Sequence, residues 1–331
     1  MRNYSVAFLG FGNVATALVR LLESRNGELA SRYGMTWSAA GVATRRRGWW
    51  ANPAGLDLTR PEGAGTRCYD VGDWLLTARP DVVFETIALD PHSGQPALDY
   101  IGEALRAGAH VVSANKGPIV HGYRSLTSLA ESRGRSYRFE SAVMDGAPVF
   151  SLVRRCLPLA GIRGVSGVFT STATVVLEAV ERGATVEDGI REAQTLGIAE
   201  ADPSYDVDGW DSAVKLCALA TVVLERPVRV GDVQREGIRT VDPGTIRDAA
   251  QRGSLIRLVG RVAVEGDRVS ARVGPEEVAA GTALAVSGTT LVTHYDADVF
   301  PGGLTVTSAG PDLTTTAYGL FTDFLEVIGA T

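Results

Sequence analysis

Lysine is almost absent from this sequence. The chain has 32 basic residues, and only two of them, Lys116 and Lys215, are lysines. An arginine keeps its proton under all conditions found in proteins, whereas a lysine can release its proton once its surroundings lower its pKa. A chain this biased toward arginine indicates that each lysine stands where an ammonium is specifically needed. Both lysines are therefore candidate active-site residues.

Other scarce features exclude several classes of protein. The three cysteines are scattered, which predicts reduced thiols in the cytoplasm and no zinc site. No apolar run reaches the roughly 18 residues that a membrane span requires. The net charge of −6 argues against binding to nucleic acid or to a membrane surface. We expect a cytoplasmic protein whose partner is a small molecule.

The N-terminus carries a nucleotide-binding pattern. Tyr4–Leu9 is a short apolar run of strand character, and a helical pattern extends to Leu22. The sequence Gly-Phe-Gly-Asn-Val-Ala between them has the form G-x-G-x-x-A, with its two glycines at Gly10 and Gly12. The first glycine makes the turn, the second lets the backbone approach a pyrophosphate, and the small third residue lets helix and strand pack closely. The pattern predicts dinucleotide binding.

The end of the second predicted strand, Thr36–Ala43, bears on the choice of cofactor. A fold of this kind that prefers NAD usually places an acidic residue there to hold the ribose 2′-hydroxyl. This chain instead reads Thr44-Arg45-Arg46-Arg47. Three arginines suit a 2′-phosphate better, so the sequence predicts NADP(H) in preference to NAD(H). The alternative is a basic surface turn without a ligand.

Strands and helices alternate along the first part of the chain, which predicts an α/β fold with a doubly wound parallel sheet. Trp49–Asp70 is expected to be an irregular excursion from it. Ala114–Pro118, which contains Lys116, is predicted to be a turn at the carboxyl end of a strand, where such sheets bind ligands.

The pattern changes after about residue 140. The later sequence predicts an α+β domain with a hairpin and two further short strands, Thr282–Val286 and Thr290–His294. The last helix, Thr314–Val327, is expected to return to the first domain. We predict a dinucleotide-binding domain over residues 1–140, completed by about 305–331. A substrate-binding and dimerisation domain would occupy residues 141–304.

Gly197–Lys215 concentrates acidic residues, with five carboxylates within twelve positions followed by a lysine. A solvated acidic loop with one surface ion pair is the simplest interpretation. An EF-hand calcium loop fails, because its twelfth position must carry a carboxylate and is here Lys215. The third interpretation is a catalytic site, in which carboxylates hold a cationic substrate and the lysine transfers a proton. Asp211 and Lys215, four residues apart, would share one face of a helix.

These motifs resemble those of the homoserine dehydrogenase family over nearly the full length, in its short form without a regulatory ACT domain. The resemblance is carried by GFGNVA at Gly10, SANKGPIV at Ser113, FESAVMDGAPV at Phe139, EAQTLGIAEADPSYDVDGWDSAVKL at Glu192 and AGPDLTTTA at Ala309. It implies a Rossmann-type domain joined to an α+β domain, a homodimer, and interconversion of L-aspartate semialdehyde and L-homoserine with NAD(P)H.

The resemblance also implies roles for individual residues. It marks Lys215, Asp211 and Lys116 as catalytic. It marks Glu200, Asp206, Thr172 and Ser171 as substrate-binding. It implies cofactor contacts at Gly10, Gly12, Asn13, Val14, Thr44, Arg45, Thr86, Ser113, Lys116, Gly197, Gly310 and Thr316. It further implies a structural monovalent cation, usually sodium, at Glu140, Val143, Asp145 and Ala147.

The sequence departs from the family pattern at one element of the substrate pocket. The family usually has Asn-Gly-Thr, followed two residues later by a second Asn, where this chain retains only Thr172 and places a side chain at Ser171. Two alternatives follow from this departure. The enzyme would act on a related amino-acid semialdehyde or 2-amino alcohol in a specialised pathway, or the chain would be an inactive NADP-binding homologue.

Overall fold

The structure, a computed structural model, describes residues 1–330. The chain forms two compact units, Met1–Gly146 with Asp312–Thr331, and Ala147–Pro311. These divisions fall slightly later in the chain than the predicted boundaries at 140 and 304. The second lies later because residues 300–308 form a strand of the second unit's sheet.

The first unit contains a seven-stranded sheet with the order β4-β3-β2-β1-β5-β6-β7. Its strands are β1 (Arg2–Leu9), β2 (Met35–Thr44), β3 (Gly48–Ala51), β4 (Thr66–Cys68), β5 (Val82–Glu85), β6 (His110–Ser113) and β7 (Tyr137–Arg138). Five neighbouring strands of this sheet, β2, β1, β5, β6 and β7, pair in parallel. The predicted parallel α/β sheet is therefore confirmed. The strand order reverses at β1, because β2 lies on one side of it and β5 on the other.

The helices of this unit are α1 (Asn13–Ser24), α2 (Asn26–Tyr33), α3 (Pro61–Ala64), α4 (Val71–Ala78), α5 (Ala97–Arg106), α6 (Lys116–Ser132) and α13 (Leu313–Val327). Apolar residues on one side of α1, including Leu18 and Leu22, pack into a core with Phe8 of β1. The C-terminal helix α13 packs against α1 and adds Leu320 and Phe324 to this core.

The prediction of an irregular excursion over Trp49–Asp70 was wrong. The segment contains β3, β4 and α3, and both strands pair antiparallel at the edge of the sheet. Aromatic packing fixes this edge: Trp49 lies edge-on to the rings of Trp74 and Tyr100. The Trp74 indole also donates a hydrogen bond to the Trp50 carbonyl at 3.1 Å. The numerous glycines and prolines of this stretch concealed its strands because they lie mainly in the turns between them.

The second unit is built on a six-stranded sheet with the order β13-β12-β8-β10-β11-β9. Its strands are β8 (Ile162–Val168), β9 (Gln234–Arg235), β10 (Ser254–Glu265), β11 (Arg268–Ala279), β12 (Leu291–Ala297) and β13 (Phe300–Ser308). The predicted hairpin is present as β10 and β11. The strand predicted at Thr282–Val286 is absent, because these residues form turns and irregular backbone. The strand predicted at Thr290–His294 is β12, whose partner β13 was not predicted from the sequence.

The helices of the second unit are α7 (Phe150–Cys156), α8 (Ser171–Glu181), α9 (Val186–Thr195), α10 (Ser204–Val207), α11 (Trp210–Val223) and α12 (Pro243–Gln251). Nearly every side chain of α11 is buried, as its apolar sequence predicted. Within residues 1–330, the longest apolar helices are too short or too polar to cross a bilayer.

Candidate active site

Lys215 and Asp211 form a buried ion pair on α11. Gly209 adopts a left-handed conformation (φ +81°) immediately before the helix, and Asp211 lies in the first turn. The Lys215 Nζ is 2.9 Å from Asp211 Oδ2, and both side chains are about nine-tenths buried (11% and 12% exposed). A solvated loop with a surface ion pair does not describe this arrangement. A lysine held dry beside a carboxylate is suited to proton transfer.

Residues at the end of β8 and the start of α8 complete the surroundings of this pair. The Lys215 ammonium donates a hydrogen bond to the Phe169 carbonyl at 2.6 Å. Thr170 donates from Oγ1 to Asp211 Oδ2 at 3.1 Å and lies 3.0 Å from the Ser212 hydroxyl. Phe169 and Thr170 were not among the site residues predicted from the sequence. The only signal was their place at a strand-to-helix junction, which a linear motif does not reveal.

Thr172 connects the same junction to the acidic segment. Its Oγ1 lies 2.7 Å from Asp206 Oδ2 and 3.2 Å from the Ile198 carbonyl. Ser171 is the first residue of α8 and is half-buried. Of the predicted substrate-binding residues, Thr172 and Asp206 are therefore in direct contact.

The remaining acidic side chains of this segment have different surroundings. Asp208 pairs with Arg239 at 2.8 Å. Asp202 accepts a hydrogen bond from the Ser204 backbone, and its bonds to Ser204 lower the pKa of the carboxyl. Glu200 is exposed, and its carboxylate accepts no hydrogen bond from residues 1–330. The segment, predicted to be irregular, also includes the short helix α10, which starts directly after Pro203. Glu200 is thus available to a ligand.

Cys217 lies near Lys215 on α11 but is not a second reactive group. Its side chain is buried, and burial raises the pKa of the thiol to about 12. A thiol with such a pKa stays protonated and is a poor nucleophile near neutral pH.

In the first unit, the predicted nucleotide turn lies where the strand order reverses. Gly10 follows β1 with φ +87°, and Thr86, the residue after β5, donates from Oγ1 to the Gly10 carbonyl at 3.2 Å. Open parallel sheets bind their ligands at the carboxyl ends of the strands at such a reversal. Gly12 caps α1 without a side-chain hydrogen bond, so the first N–H groups of this helix are unsatisfied by any cap. Asn13 and Val14 are its first two residues. Helix ends of this kind suit a phosphate.

Gly10 and Gly12 have different surroundings, so substitutions at the two positions can distinguish an effect on folding from an effect on cofactor binding. A Cβ at Gly10 would lie 2.8 Å from the Thr86 backbone, whereas one at Gly12 would have no neighbour within 4 Å. We expect Gly12→Ala to leave the melting temperature nearly unchanged and to weaken cofactor binding by about tenfold or more, because a methyl group displaces a phosphate from N–H donors worth about 1.5–3 kcal/mol each. Calorimetric titration and thermal unfolding would measure the two effects.

Gly10→Ala is the matched control for this prediction. It forces an L-residue into a left-handed conformation, which costs about 1–3 kcal/mol before the backbone clash is counted, so its melting temperature should fall. Equal loss of stability in the two variants would contradict the assignment of the Gly12 face to a phosphate.

The predicted turn containing Lys116 is shorter than expected. Lys116 is the first residue of α6, and Asn115 caps the helix by accepting a hydrogen bond from Gly117 N at 3.0 Å. Ser113 ends β6, and its hydroxyl donates to Glu85 Oε2 at 2.6 Å. Glu85 and Asn115 were not predicted as site residues, because a glutamate at a strand end and an asparagine in a turn are common in any sequence. Ser113, Lys116 and Thr86 thus lie at the carboxyl ends of neighbouring strands, the same sheet edge as Gly10.

The three arginines after β2 are not equivalent. Arg47 is held by Glu62 through two hydrogen bonds of 2.9 and 3.0 Å, and these bonds raise its pKa. Its backbone N–H also donates to Thr44 Oγ1 at 2.9 Å. Arg45 and Arg46 are exposed and have no ion pair within residues 1–330. Two unpaired guanidinium groups at the end of β2 suit an anionic ligand.

Three further residues predicted to contact the cofactor lie late in the chain. Gly197 and Gly310 belong to the second unit, and each has a positive φ, +73° and +60°. Thr316 lies in the first turn of α13, where its hydroxyl bonds to the Asp312 carbonyl at 3.0 Å.

The residues of the predicted cation site are divided between the units. Glu140, Val143 and Asp145 belong to the first unit, with Glu140 almost fully buried, and Ala147 begins the second. No group of three or more His, Cys, Asp and Glu side chains that could hold a metal occurs among residues 1–330. Glu140 and Asp145 supply carboxylate oxygens, which are donors that suit a hard cation.

Comparison with known proteins agrees with this arrangement. Residues 10–140 match the family model described as homoserine dehydrogenase, NAD binding domain, and residues 148–325 match the one described as homoserine dehydrogenase. The chain is 32% identical to the NAD(+)-dependent homoserine dehydrogenase of Pseudomonas canavaninivorans, over 99% of this chain and 97% of that protein. It is 31% identical to the homoserine dehydrogenase of Methanocaldococcus jannaschii, over 76% of this chain and 74% of that protein.

Solved structures are also similar. The homoserine dehydrogenase of Thiobacillus denitrificans superposes with a TM-score of 0.84 at 26% identity, covering 98% of this chain and 73% of that one. A hyperthermophilic archaeal homoserine dehydrogenase in complex with NADPH superposes with a TM-score of 0.82 at 25% identity, covering 99% and 98%.

Proposed function

This chain belongs to the homoserine dehydrogenase family, an NAD(P)-dependent class of oxidoreductases, and we propose that it interconverts L-aspartate semialdehyde and L-homoserine with NADP(H) as the preferred cofactor. The observation that carries the proposal is the buried Asp211–Lys215 pair, held by Phe169 and Thr170. The Asn-Gly-Thr departure leaves this pair intact, so neither alternative, another semialdehyde or an inactive homologue, is favoured.

The reduction requires one hydride and one proton for the aldehyde carbonyl. When bound, the nicotinamide cofactor supplies the hydride. Lys215 donates its proton from Nζ to the carbonyl oxygen as negative charge develops there. Asp211 orients Lys215 and stabilises its ammonium form, which the pair regains from solvent after each turnover. We propose that Lys116 contributes positive charge to the reaction. In the oxidation of homoserine each step runs in reverse.

Carboxylates of the acidic segment hold the substrate in this proposal. Glu200 accepts hydrogen bonds from the substrate ammonium, since its carboxylate is exposed and unpaired. Asp206 supports the site in an orientation fixed by Thr172. Ser171 occupies the position where the family usually has glycine, and we propose that its hydroxyl lines the pocket without preventing homoserine from binding.

Arg45 and Arg46 support the preference for NADP(H). A 2′-phosphate is a dianion that arginine binds well, and these two guanidinium groups have no competing carboxylate. The Pseudomonas relative is described as NAD(+)-dependent, and the archaeal relative was solved in complex with NADPH. The two relatives are therefore associated with different nicotinamide cofactors. Thr44, Gly10, Gly12, Asn13, Val14, Thr86 and Ser113 would contact the rest of the cofactor, with Gly197, Gly310 and Thr316.

Substitution of the arginines tests the cofactor preference. We expect the double variant Arg45→Ala/Arg46→Ala to raise the KM for NADP about tenfold or more while changing the KM for NAD less than about twofold, because a charge-assisted bond contributes about 1.5–3 kcal/mol. Arg47→Ala is the matched control, since Glu62 already occupies that guanidinium, and it should leave the NADP to NAD ratio unchanged. An unaltered ratio in the double variant would contradict the proposal.

The activity itself is tested by following NADPH formation with purified protein, L-homoserine and NADP, and repeating the assay with NAD. Turnover with homoserine, well above that with other 2-amino alcohols, is the expected result. Preference for another alcohol, or binding of NADP without turnover of any candidate, would contradict the proposed substrate.

Assembly, location and cation binding extend the proposal. We propose a cytoplasmic homodimer with a monovalent cation, sodium by preference, held by Glu140, Val143, Asp145 and Ala147. The carboxylates of Glu140 and Asp145 support the cation, because oxygen ligands suit hard cations.

A further inference from the structure

Glu85 is a fully buried carboxyl group that the proposed reaction does not use. It ends β5 and has no exposed surface. Its Oε1 accepts hydrogen bonds from Ile87 N at 2.9 Å and from Asn115 Nδ2 at 3.3 Å, and its Oε2 accepts one from the Ser113 hydroxyl at 2.6 Å. One side chain therefore joins the loop after β5, the end of β6 and the cap of α6.

Each of these segments carries residues assigned to the cofactor or the reaction. Ile87 follows Thr86, which itself bonds to Gly10 of the nucleotide turn. Ser113 also accepts a hydrogen bond from Asn115 N at 3.0 Å, and Asn115 directly precedes Lys116. The network is continuous from the nucleotide turn to the α6 N-terminus.

We propose that Glu85 is a positioning residue, whose carboxylate holds the β5 loop, Ser113 and the N-terminus of α6 in the arrangement that binds the nicotinamide cofactor. This inference rests on the proposed function, in which the first unit binds that cofactor. An ionised carboxylate fixes its three donors more strongly than a neutral carboxyl, because charge-assisted hydrogen bonds are about twice as strong as neutral ones.

The protonation state of Glu85 can change near neutral pH. Burial raises the pKa of this carboxyl to about 7, although the bonds from Ser113, Ile87 and Asn115 oppose the rise. Among the elements around it, β7 presents Tyr137, whose pKa is raised by burial and then by the Glu85 charge. Lys116 lies next to Asn115 at the start of α6. The Tyr137 hydroxyl is buried without a hydrogen bond of normal geometry within residues 1–330, and an interaction with the Ser113 hydroxyl opposes the rise of its pKa.

Protonation reverses one hydrogen bond in this network. A neutral Glu85 can donate from Oε2 to Ser113, which frees the Ser113 hydrogen to bond to Tyr137. Glutamine at position 85 would make the same set of contacts, with its amide N–H donating to Ser113. Glu85→Gln is therefore an almost isosteric mimic of the protonated state.

The test is calorimetric titration of the full chain with NADP, and separately with NAD, from about pH 5.5 to about pH 8.5, a range that brackets the Glu85 titration. We expect the ratio of the wild-type to the Glu85→Gln affinity for NADP to be near one at low pH and to rise about fivefold as the pH increases through 7. The titration of the NADP phosphate is common to both proteins and cancels. Glu85→Leu, which removes all three acceptor contacts, should weaken binding more than tenfold.

Stability provides a second readout and a control. Because the folded pKa of Glu85 lies above its unfolded value, the group's stabilisation is present at low pH and is lost as pH rises toward 7, so wild type should lose melting temperature relative to Glu85→Gln over that range. Leu29→Ala, a core substitution in α2, should lower stability without changing the pH dependence of NADP affinity.

The outcomes separate this inference from the proposed function. Wild-type protein that binds neither nucleotide would overturn the cofactor role and this inference with it. Wild-type protein that binds NAD, which has no 2′-phosphate to titrate, with an affinity independent of pH would overturn the positioning role alone, even if Glu85→Gln failed to fold. Identical affinities of wild type and Glu85→Gln at every pH would do the same.

Discussion

Replacement of Lys215 by alanine is expected to lower turnover with homoserine about 100-fold or more, which is the usual contribution of a general acid–base group. The side chain is buried on α11 between Asp211 and the Phe169 carbonyl. Without the lysine amine, no group in that position accepts the hydroxyl proton of homoserine or, in the reverse direction, donates a proton to the carbonyl oxygen. Steady-state rates with saturating homoserine and NADP would measure the loss. Near-normal turnover would exclude Lys215 from the reaction.

Lys215→Arg separates proton transfer from structure. Arginine keeps the positive charge beside Asp211 but cannot release a proton in a protein. We expect this variant to bind NADP and to melt close to the wild-type temperature. Its turnover should fall by about as much as that of Lys215→Ala. Recovery of activity in the arginine variant would instead indicate that Lys215 acts only as a fixed charge.

Replacement of Arg257 by alanine is expected to reduce the free energy of unfolding by about 3–5 kcal/mol, the range found when one partner of a buried ion pair is removed. The Arg257 side chain is completely buried and pairs with Glu178 at 3.1 Å and Glu181 at 2.8 Å. It also donates from Nε to the Val286 carbonyl at 2.7 Å. Its removal leaves two neighbouring carboxylates without a cation. Urea unfolding of the full chain would measure the change.

Arg261→Ala is the matched control for this prediction. Arg261 lies on the same strand, β10, and pairs with Glu276 at 2.8 Å, but its side chain is 49% exposed. An exposed pair contributes about 0–1 kcal/mol. Similar losses in the two variants would show that the Arg257 cluster is no more important than a surface pair. Combining Arg257→Met with glutamine at positions 178 and 181 should recover part of the stability, because no unpaired charge then remains.

Several features of the protein follow from short stretches of sequence. The G-x-G-x-x-A pattern predicts the strand, turn and helix around Gly10 because each residue acts on its immediate neighbours. The apolar run after Asp211 predicts the buried helix α11, and a spacing of four places Asp211 beside Lys215. The alternation of strands and helices predicts the parallel sheet, and the change of pattern after about residue 140 predicts a second domain. Two predictions were wrong: the irregular excursion over Trp49–Asp70 and the strand at Thr282–Val286. Strands rich in turn-forming residues and short apolar turns look alike in sequence.

Tertiary structure decided which of these residues act together. Phe169 and Thr170 reach Lys215 and Asp211 across sequence separations of 46 and 41 residues, which no local pattern encodes. Glu62 pairs with Arg47, whereas Arg45 and Arg46 have no ion pair within residues 1–330. Glu85 joins Ser113 and Asn115 only because β5 and β6 are neighbours in the sheet. The sequence by itself determined the chemistry that the side chains can perform. The tertiary structure determined the protonation state and the orientation of these side chains. Both properties depend on burial and on long-range hydrogen bonds, which follow from strand order and packing.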